Sequence, residues 1–461
     1  MPDVRQKTGG CMTEELFQKG TGAGCGAVHK PGGCTVEELN RLGPEGIPEE
    51  YVTSSHLVYN SPATLAYNSP GAEGFGVKRA GLAVPGSIML IVSPGCCGRN
   101  TAEITKIKGY EERFFYLEIG ETDLVTGRHL KVIPQAVAEI VESCRVQPSL
   151  VMICITCVDA LLGTDMERVA RKAETLVQIP VRPCYMYALT REGRRPPMVA
   201  VRQSLYSLLP SQKRIRSSVN LLGFFAPVDP DCELFGMLRG IGVKTIRQIS
   251  TCENIGEFYR MGEANFNLVL NPEAQDAADD LSRRLGIPSV ALTRFYGADR
   301  IARQYRALSA ALGVKWSCGE GRQEAEEALA SLKRRYPKLV FSIGEVVNAN
   351  PFELALALSE TGFCVREIFA NPAPEYAWYI GRLAERSPQT MVYSNMEPTM
   401  IYYDIAEGGE LPYAVAVGKD AGYYHPDAAF VPWNTDEQPF GYAGLRRLAE
   451  AILSSCEERY G

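Results

Sequence analysis

The sequence has 461 residues, which is too long for one hydrophobic core, so we expect two to four domains. Hydrophobic residues make up 46% of the chain and charged residues 22%, a composition typical of a soluble globular protein. The net charge of −6 argues against nucleic acid or an anionic membrane as the main partner, and no apolar run reaches the roughly 20 residues that span a bilayer.

The first residues lack the apolar core of a signal peptide, so we expect a cytoplasmic protein. In a reducing cytoplasm, 14 cysteines predict metal binding, redox chemistry or burial rather than a disulfide framework. The chain has only 4 histidines, which argues against a zinc site built on paired histidines.

Residues 1–55 differ from the rest because glycine is dense there and cysteine recurs, at Cys11, Cys25 and Cys34. Such glycine density favours an irregular arm that wraps the protein or loops around a metal. The cysteine spacings match no ferredoxin or zinc pattern. Composition favours an extended arm with incidental thiols, and an additional cluster is the alternative.

Strands and helices alternate from about residue 56 and predict an α/β domain over residues 56–215. The continuous apolar runs at 88–92 and 150–155 predict two buried parallel strands. The other predicted elements of this domain are a strand near 179–187 and helices near 101–108, 131–144 and 198–208. A further helix is predicted to begin at about residue 163. A polar linker is predicted at 211–218.

Cysteines follow both apolar runs. Cys96 and Cys97 follow the run at 88–92, and Cys157 follows the run at 150–155. The carboxyl ends of parallel strands are where open α/β sheets bind their ligands. Cysteine thiolates hold iron–sulfur clusters, and a neighbouring glycine lets the backbone approach closely. The alternative is that these cysteines are small buried hydrophobic residues, which we expect for Cys154 inside the second run. For Cys97 and Cys157 we favour a role as cluster ligands.

The rest of the chain predicts two further α/β domains, at 216–333 and at 334–461 with a carboxyl-terminal helix at 441–456. Predicted strands lie at 219–225, 266–270, 338–343 and 390–393, and predicted helices near 272–285, 296–312 and 320–335. At 238–243, 285–290 and 361–365, glycine follows a helix and a β-branched strand begins, which marks a helix-to-strand junction. The sequence thus predicts three Rossmann-like domains with mostly parallel sheets and no glycine fingerprint of a dinucleotide site.

The first domain contains, in this order, Ser93-Pro-Gly-Cys-Cys-Gly, Leu117-Glu-Ile-Gly-Glu-Thr-Asp-Leu-Val-Thr-Gly and Ile155-Thr-Cys-Val-Asp-Ala-Leu-Leu-Gly-Thr-Asp. Later motifs are Asn267-Leu-Val-Leu-Asn, Arg284-Leu-Gly-Ile-Pro, Phe295-Tyr-Gly-Ala-Asp and Gln438-Pro-Phe-Gly-Tyr-Ala-Gly. Their order and spacing resemble those of the nitrogenase component 1 superfamily. That superfamily includes the nitrogenase α and β subunits, their cofactor-scaffold paralogues and nitrogenase-like tetrapyrrole reductases. The resemblance covers the chain from about residue 56 to its end.

The resemblance implies a dimer with an iron–sulfur cluster at the subunit interface, a 4Fe-4S cluster or a larger P-cluster-like one. It also implies a partner, an ATP-hydrolysing iron protein that supplies electrons. Cys97 and Cys157 occupy the places of the family's cluster cysteines. The family's further upstream cysteine is replaced by Asn68, so the missing thiolate comes from Cys34 or another residue of the arm, from Cys96, or from a second chain. We favour a symmetric homodimer in which each chain gives Cys97 and Cys157. A paralogous heterodimer is the alternative.

The second domain departs from the nitrogenase α subunit, because Asn271 stands where the iron–molybdenum cofactor is anchored by cysteine. The cofactor's histidine has no matching motif, although His425 falls in the right region. An amide is a poor ligand for soft iron, which argues against this cofactor. Asn271 lines a substrate cavity or caps the helix after it, and we favour the cap. The segment 348–353 either presents amides to an anion or caps a helix.

We therefore predict a nitrogenase-like reductase component that passes electrons to a small organic or tetrapyrrole-type substrate in a cleft between domains. No catalytic residue is assigned. The alternative function is a non-catalytic scaffold or carrier for assembly of a metallocluster. The third possibility is an α/β binding protein that has lost its cluster.

Overall fold

The structure is a computed structural model that describes residues 31–48, 51, 61–67, 76–95, 109–155, 162–185, 195–316, 319–403, 413–434 and 437–461. Three separate sheets organise the chain, and all of their strand pairs are parallel except one at an edge. The predicted α/β class with mostly parallel sheets is therefore confirmed. In this described part, no helix is long and apolar enough to cross a membrane.

The predicted amino-terminal arm contains one regular piece, strand β1 at Gly33–Thr35 followed by helix α1 at Val36–Leu42. Thr35 and Glu38 form a capping box, because Thr35 Oγ1 accepts from Glu38 N at 3.2 Å and Glu38 Oε2 accepts from Thr35 N at 2.7 Å. The strand pairs antiparallel with Met391–Tyr393, far along the sequence. Glycine density predicted irregular structure here, but the capping box and an open sheet edge make it regular.

The first sheet has the order β3-β2-β4-β5, and its two central strands are buried along their whole length. Its elements are α2 Pro62–Tyr67, α3 Gly76–Gly81, β2 Ser87–Ser93, β3 Phe114–Glu118, α4 Glu121–Val125, α5 His129–Ser143, β4 Leu150–Ile155, α6 Met166–Val177, β5 Val181–Tyr185 and α7 Pro197–Tyr206. The two predicted apolar strands are β2 and β4. The expected helix near 101–108 lies outside the described residues. Asp165 is the N-cap of α6, and its side chain accepts from Arg168 N at 2.9 Å.

The second sheet has the order β7-β6-β8-β9 and is parallel throughout. Its elements are β6 Ile215–Leu222, α8 Glu233–Gly240, β7 Thr245–Arg247, α9 Ile255–Tyr259, β8 Ala264–Val269, α10 Gln275–Leu285, β9 Ser289–Ala291, α11 Ala298–Leu312 and α12 Gly319–Arg335. Strand β6 begins at Ile215, inside the segment predicted as a linker at 211–218. Its first two residues are exposed, which explains why the polar pattern concealed the strand.

The third sheet has the order β1-β12-β11-β10-β13-β14. Its elements are β10 Val340–Gly344, α13 Pro351–Glu360, β11 Cys364–Phe369, α14 Ala377–Ala384, β12 Met391–Tyr393, β13 Ala414–Val417, α15 Lys419–Tyr424, β14 Ala429–Val431 and α16 Gly441–Tyr460. Except for β1, each sheet takes its strands from one of the three segments predicted as domains. The boundaries themselves remain predictions.

The three predicted helix-to-strand junctions are confirmed by backbone conformation. Gly242, Gly286 and Gly362 have φ values of 89°, 70° and 82°, in the region that disfavours any residue with a Cβ. Strands β7, β9 and β11 begin just after them. Glycine therefore ends each of these helices and turns the chain into the next strand.

Candidate functional site

The cysteines predicted as cluster ligands follow two strands that are hydrogen-bonded neighbours. Val92 of β2 pairs with Ile155 of β4, so both strands end at the same edge of the first sheet. Cys96, Cys97 and Cys157 come after these ends and lie outside the described residues. Their role as ligands remains a prediction.

Cys34, the fourth predicted metal ligand, lies in β1 at the edge of the third sheet. It is partly buried, and burial raises the pKa of its thiol to about 11, despite a hydrogen bond from Tyr51 that acts in the opposite direction. Metals bind the thiolate, so the free energy needed to deprotonate Cys34 would oppose metal binding at neutral pH. Its strand belongs to a different sheet from the strands that precede Cys97 and Cys157.

A cleft of about 810 Å³ lies between the three α/β units, and all three of them line it. Its walls are formed mainly by segments that follow β6, β8, β9 and β10, so it lies at the carboxyl ends of parallel strands. The first unit contributes α3, α7 and Tyr110. A volume of this size is typical of small-molecule and cofactor sites.

The charged residues that line this cleft are three arginines, Arg79, Arg202 and Arg294, and two carboxylates, Glu273 and Glu375. The side chain of Arg202 is 4% exposed and forms an ion pair with Glu273 at 2.9 Å. Its Nε and Nη2 also donate to the Gly223 carbonyl, at 2.8 and 2.6 Å. Arg202 is thus fully engaged and holds the first unit against the second.

Arg294 differs from Arg202 because no carboxylate among the described residues pairs with it. Its Nη1 donates to the Asn348 carbonyl at 2.6 Å and its Nη2 to Gln438 Oε1 at 2.7 Å, and its guanidinium lies 4.3 Å from the ring centre of Phe224. Desolvation lowers the pKa of Arg294 to about 10, so it stays charged at neutral pH. Its buried Nε has no hydrogen-bond partner in the part that the structure describes. The wall of the cleft therefore contains a guanidinium that forms no ion pair with a described carboxylate.

Asn348 is held beside this arginine by its backbone. Its carbonyl also accepts from Tyr296 Oη at 3.1 Å, and its N–H donates to the Trp433 carbonyl at 2.8 Å. Trp433 Nε1 donates to Tyr296 Oη at 2.8 Å, which closes the network. The Asn348 side chain is in the wall of the cleft, and its buried Nδ2 has no partner among the described groups.

Two helical segments begin at the cleft, each with an Asn-Pro pair: the 3-10 turn Pro272–Ala274, which leads into α10, and α13. Asn271 Oδ1 accepts from Glu273 N at 3.0 Å, which confirms the predicted cap. Asn350 Oδ1 accepts from Phe352 N at 3.0 Å and from Glu353 N at 3.2 Å at the start of α13. The positive ends of both helix dipoles therefore add to the positive potential of the cleft.

The loop that carries Asn348 and Asn350 is fixed by Asp420, which is 1% exposed. Its carboxylate accepts from Glu345 N at 2.7 Å and from Val346 N at 3.2 Å. Burial raises the pKa of Asp420 to about 6, although these backbone donors act in the opposite direction. The carboxylate thus orders one wall of the cleft at a cost in desolvation.

His425 does not line the cleft. It is 5% exposed, and its Nε2 lies 2.7 Å from Glu367 Oε2 inside the third unit. Ser342 Oγ and Tyr403 Oη each lie 3.1 Å from the same nitrogen. This histidine therefore belongs to a buried polar cluster rather than to a cofactor site.

None of the described residues around the cleft is cysteine or histidine. The described ranges also contain no group of three or more histidine, cysteine or acidic residues arranged to hold a metal ion. Its polar lining consists of three guanidinium groups, of which that of Arg294 has no described carboxylate partner, two carboxylates, amides and helix amino termini. Such a lining binds an anion through charge and hydrogen bonds rather than through metal–ligand bonds.

Sequence reasoning identified Asn271 and the segment 348–353 but missed Arg202 and Arg294. Arg294 comes three residues after the last residue of β9, just before the motif that begins at Phe295. A charged residue just beyond a strand's carboxyl end was the available signal. It was missed because arginine is usually a solvent-exposed surface residue.

Comparison with known proteins adds three findings. Residues 73–457 match the family model described as nitrogenase component 1 type oxidoreductase. The chain is similar to nitrogenase iron-molybdenum cofactor biosynthesis protein NifE from Klebsiella pneumoniae, 27% identical over 217 residues, and from Nostoc sp., 24% identical over 203 residues. Each match covers 43% of this chain, and 46% and 42% of the respective relatives. The matches thus span less than half the length of these curated relatives.

The solved structure of nitrogenase Cp1 at pH 6.5 has the same fold, with a TM-score of 0.64 and 16% sequence identity. The similarity covers 87% of this chain and 92% of that one. A second structure of nitrogenase Cp1, at pH 5, gives a TM-score of 0.59 over 87% of this chain and 89% of that one, also at 16% identity.

Proposed function

Because the chain belongs to the nitrogenase component 1 family, we propose that it is a scaffold that holds an anionic metallocluster, or a precursor of one, in the cleft and passes it to another protein. The cluster is cargo in this proposal, not a resident cofactor. The observation that carries it is Arg294 in the lining of the cleft, a guanidinium with no carboxylate partner among the described residues, in a lining whose described residues include no cysteine or histidine.

A scaffold must release what it binds. Thiolate and imidazole form strong bonds to iron, whereas hydrogen bonds and a buried cation hold an anion without occupying its metal sites. Asn271 stands where the resemblance places a cofactor-anchoring cysteine, and its side-chain oxygen is already occupied as a helix cap. The partial similarity to proteins named for cofactor biosynthesis supports the same function.

The second candidate is the reductase predicted from the sequence, with electrons supplied by an ATP-hydrolysing iron protein. It is favoured by the neighbouring ends of β2 and β4, since these strands lead to Cys97 and Cys157. Thiolates at these positions fit an iron–sulfur cluster shared across a homodimer, and such a cluster supplies one-electron transfer when bound. A small organic substrate would then occupy the cleft in place of a cluster.

One substitution tests the scaffold directly: Asn271→Cys adds a soft ligand to the cleft. We would purify the chain anaerobically in a Cys97→Ala/Cys157→Ala background, so that neither of these two cysteines can be a ligand of any iron that remains bound. Iron and acid-labile sulfide are measured, and then the rate at which iron passes to the chelator bathophenanthroline disulfonate. Asn271→Ser is the matched control, because serine also caps a helix but is a poor ligand for iron.

The scaffold predicts iron in the double-cysteine background, and release at least about tenfold slower with Asn271→Cys than with Asn271→Ser, because a thiolate would anchor the cargo. Complete loss of iron from the Cys97→Ala/Cys157→Ala variant would contradict the scaffold function. Reduction of an organic substrate that requires the iron protein, ATP and Cys97 would instead support the reductase.

A further inference from the structure

A second pocket, of about 470 Å³, lies apart from the cleft, where the second unit meets the third. It is lined by α11, by the connection from α11 to α12, by the first turn of α12 and by Tyr442 near the start of α16. It shares no lining residue with the cleft, and the function proposed above makes no use of it. Its volume is in the range of small-molecule sites, which occur preferentially where domains meet.

The charged side chains in the described lining of this pocket are both arginines, Arg306 and Arg322. Arg322 is already paired, because its Nη2 lies 2.8 Å from Asp299 Oδ1 and its Nε lies 2.8 Å from Glu326 Oε1. Arg306 is exposed, and no carboxylate among the described residues forms an ion pair with it. Arg306 is therefore the cation that can pair with an anionic ligand.

Three aromatic side chains, Tyr305, Trp316 and Tyr442, also line the pocket. Tyr305 and Tyr442 are buried, and their rings meet edge to face with centres 6.0 Å apart. Tyr305 Oη donates to Glu233 Oε1 at 2.8 Å, which fixes the first of these rings. Trp316 is only partly buried, so a ligand can reach its ring. An aromatic ring of a ligand would gain stacking there in addition to burial.

The indole N–H of Trp316 has no hydrogen-bond partner among the described residues, although its Nε1 atom is buried. Buried donors are nearly always paired, so this nitrogen points to an acceptor that the described groups do not supply. Trp316 also lines a neighbouring pocket of about 450 Å³, which α8 borders. Because both pockets adjoin it, the indole has room to turn its N–H toward a bound ligand.

We propose that the pocket between α11, α12 and α16 binds an aromatic anion, a small molecule in which an anionic group is attached to an aromatic ring. The anionic group pairs with Arg306, the ring packs against Trp316, and an acceptor atom of the ligand receives the indole N–H. An aliphatic anion would leave the aromatic surface unused, and a neutral ring would leave Arg306 without a partner. This binding site goes beyond the scaffold function, since it lies outside the cleft.

Isothermal titration calorimetry on the full chain tests this site. The probes are sodium indole-3-acetate and adenosine monophosphate, which join a ring to a carboxylate and to a phosphate, respectively. Indole-3-acetamide and adenosine supply the rings without the charge. Sodium acetate and sodium phosphate supply the charge without a ring, and all titrations are run at equal ionic strength.

Three variants locate the binding. Arg306→Gln removes the cation from the pocket. Its matched control is Arg303→Gln, because Arg303 is exposed on the same helix but does not line the pocket. Trp316→Phe removes the N–H and keeps an aromatic ring. We expect at least one of the two aromatic anions to bind the wild type and Arg303→Gln equally, with a Kd below about 1 mM. Binding should be at least about tenfold weaker with Arg306→Gln and about threefold weaker or more with Trp316→Phe.

Failure of both aromatic anions to bind the wild type, or equal weakening by Arg303→Gln and Arg306→Gln, would overturn the site. So would ring-free anions or uncharged rings that bind as tightly as the aromatic anions. The tighter of the two probes identifies the anionic group as carboxylate or phosphate. Melting temperatures identify any variant that does not fold. Iron retention by the Cys97→Ala/Cys157→Ala variant is measured separately, so its loss would contradict the scaffold function and leave this site standing.

Discussion

The ion pair between Arg300 and Glu353 joins the second and third units, and its removal gives the sharpest stability prediction. Arg300 Nε lies 2.6 Å from Glu353 Oε1, with the side chains 5% and 0% exposed. The carboxylate also accepts from Tyr296 N at 2.9 Å and from Gly297 N at 3.0 Å. Burial alone would lower the pKa of Arg300, but the attraction of Glu353 and Glu360 raises it. The charged form of Arg300 is therefore stabilised by these carboxylates.

Arg300→Met keeps the length and apolar packing of the side chain but leaves the carboxyl of Glu353, whose pKa burial already raises, with only two neutral donors. Breaking a buried pair from one side costs about 3–5 kcal/mol. Glu353→Gln removes the negative charge and keeps an acceptor for the backbone donors, while Arg300 retains Glu360 at 2.8 Å. We therefore expect Arg300→Met to be the more destabilising single change. The double variant should be more stable than Arg300→Met alone, because no uncompensated charge remains.

Urea unfolding followed by Trp433 fluorescence measures these differences, because Trp433 Nε1 donates to Tyr296 Oη beside the ion pair. The other two tryptophans, Trp316 and Trp378, are replaced by phenylalanine in every variant. A loss below about 1 kcal/mol for Arg300→Met would refute the reasoning. So would a double variant whose loss equals the sum of the two single losses, since that would mean the charges do not interact.

Three smaller changes test other parts of the structure. Gly223→Ala would place a Cβ 2.7 Å from Asn271 N at a φ of 125°, so we expect a loss of more than about 2 kcal/mol in urea unfolding, and a loss comparable to a surface Gly→Ala change would contradict this. For Asp420, the pKa is about 6 in the folded state and 3.8 in the unfolded state, so its contribution to stability is present below pH 3.8 and is lost as the pH rises through 6. From pH 7 to pH 5 the free energy of unfolding of the wild type should therefore rise by about 1.4 kcal/mol relative to that of Asp420→Asn. A difference that stays constant with pH would be evidence against the raised pKa. Cys34, with a pKa near 11, should react with iodoacetamide at pH 8 more slowly than exposed Cys364, as read by mass spectrometry, and equal rates would mean that Cys34 ionises normally.

The strands and helices that depend on local pattern were predictable from the sequence. Continuous apolar runs predicted β2 and β4, and the helix-ending glycines predicted where β7, β9 and β11 begin. The elements that were missed depend on distant partners. Strand β1 forms because β12 offers it an open edge more than 350 residues away, as the pairing of Cys34 with Val392 shows. A local pattern does not contain that information.

At the cleft, too, local features could be predicted from the sequence and features that depend on packing could not. The Asn-Pro pairs at Asn271 and Asn350 predicted helix starts, because a cap is a local feature. That both helices begin at one cavity, beside Arg294, depends on how the second and third units pack. The unpaired donors could be found only from the structure, since an unsatisfied nitrogen is defined by the absence of neighbours in space.

Asn271 connects the family resemblance to the proposed function. In place of a sulfur ligand it provides an oxygen that already accepts a hydrogen bond from Glu273 N. Asn271 therefore fixes the start of the helical segment and is not placed as a metal ligand. Gly223, whose missing Cβ makes room for Asn271, fits the same arrangement. In the proposed scaffold, Arg294 and the helix dipoles attract the cargo electrostatically, and these interactions weaken as salt rises. We therefore expect the iron retained by the Cys97→Ala/Cys157→Ala variant to decrease as ionic strength rises, a dependence that inner-sphere ligation by thiolates would not impose on a cluster.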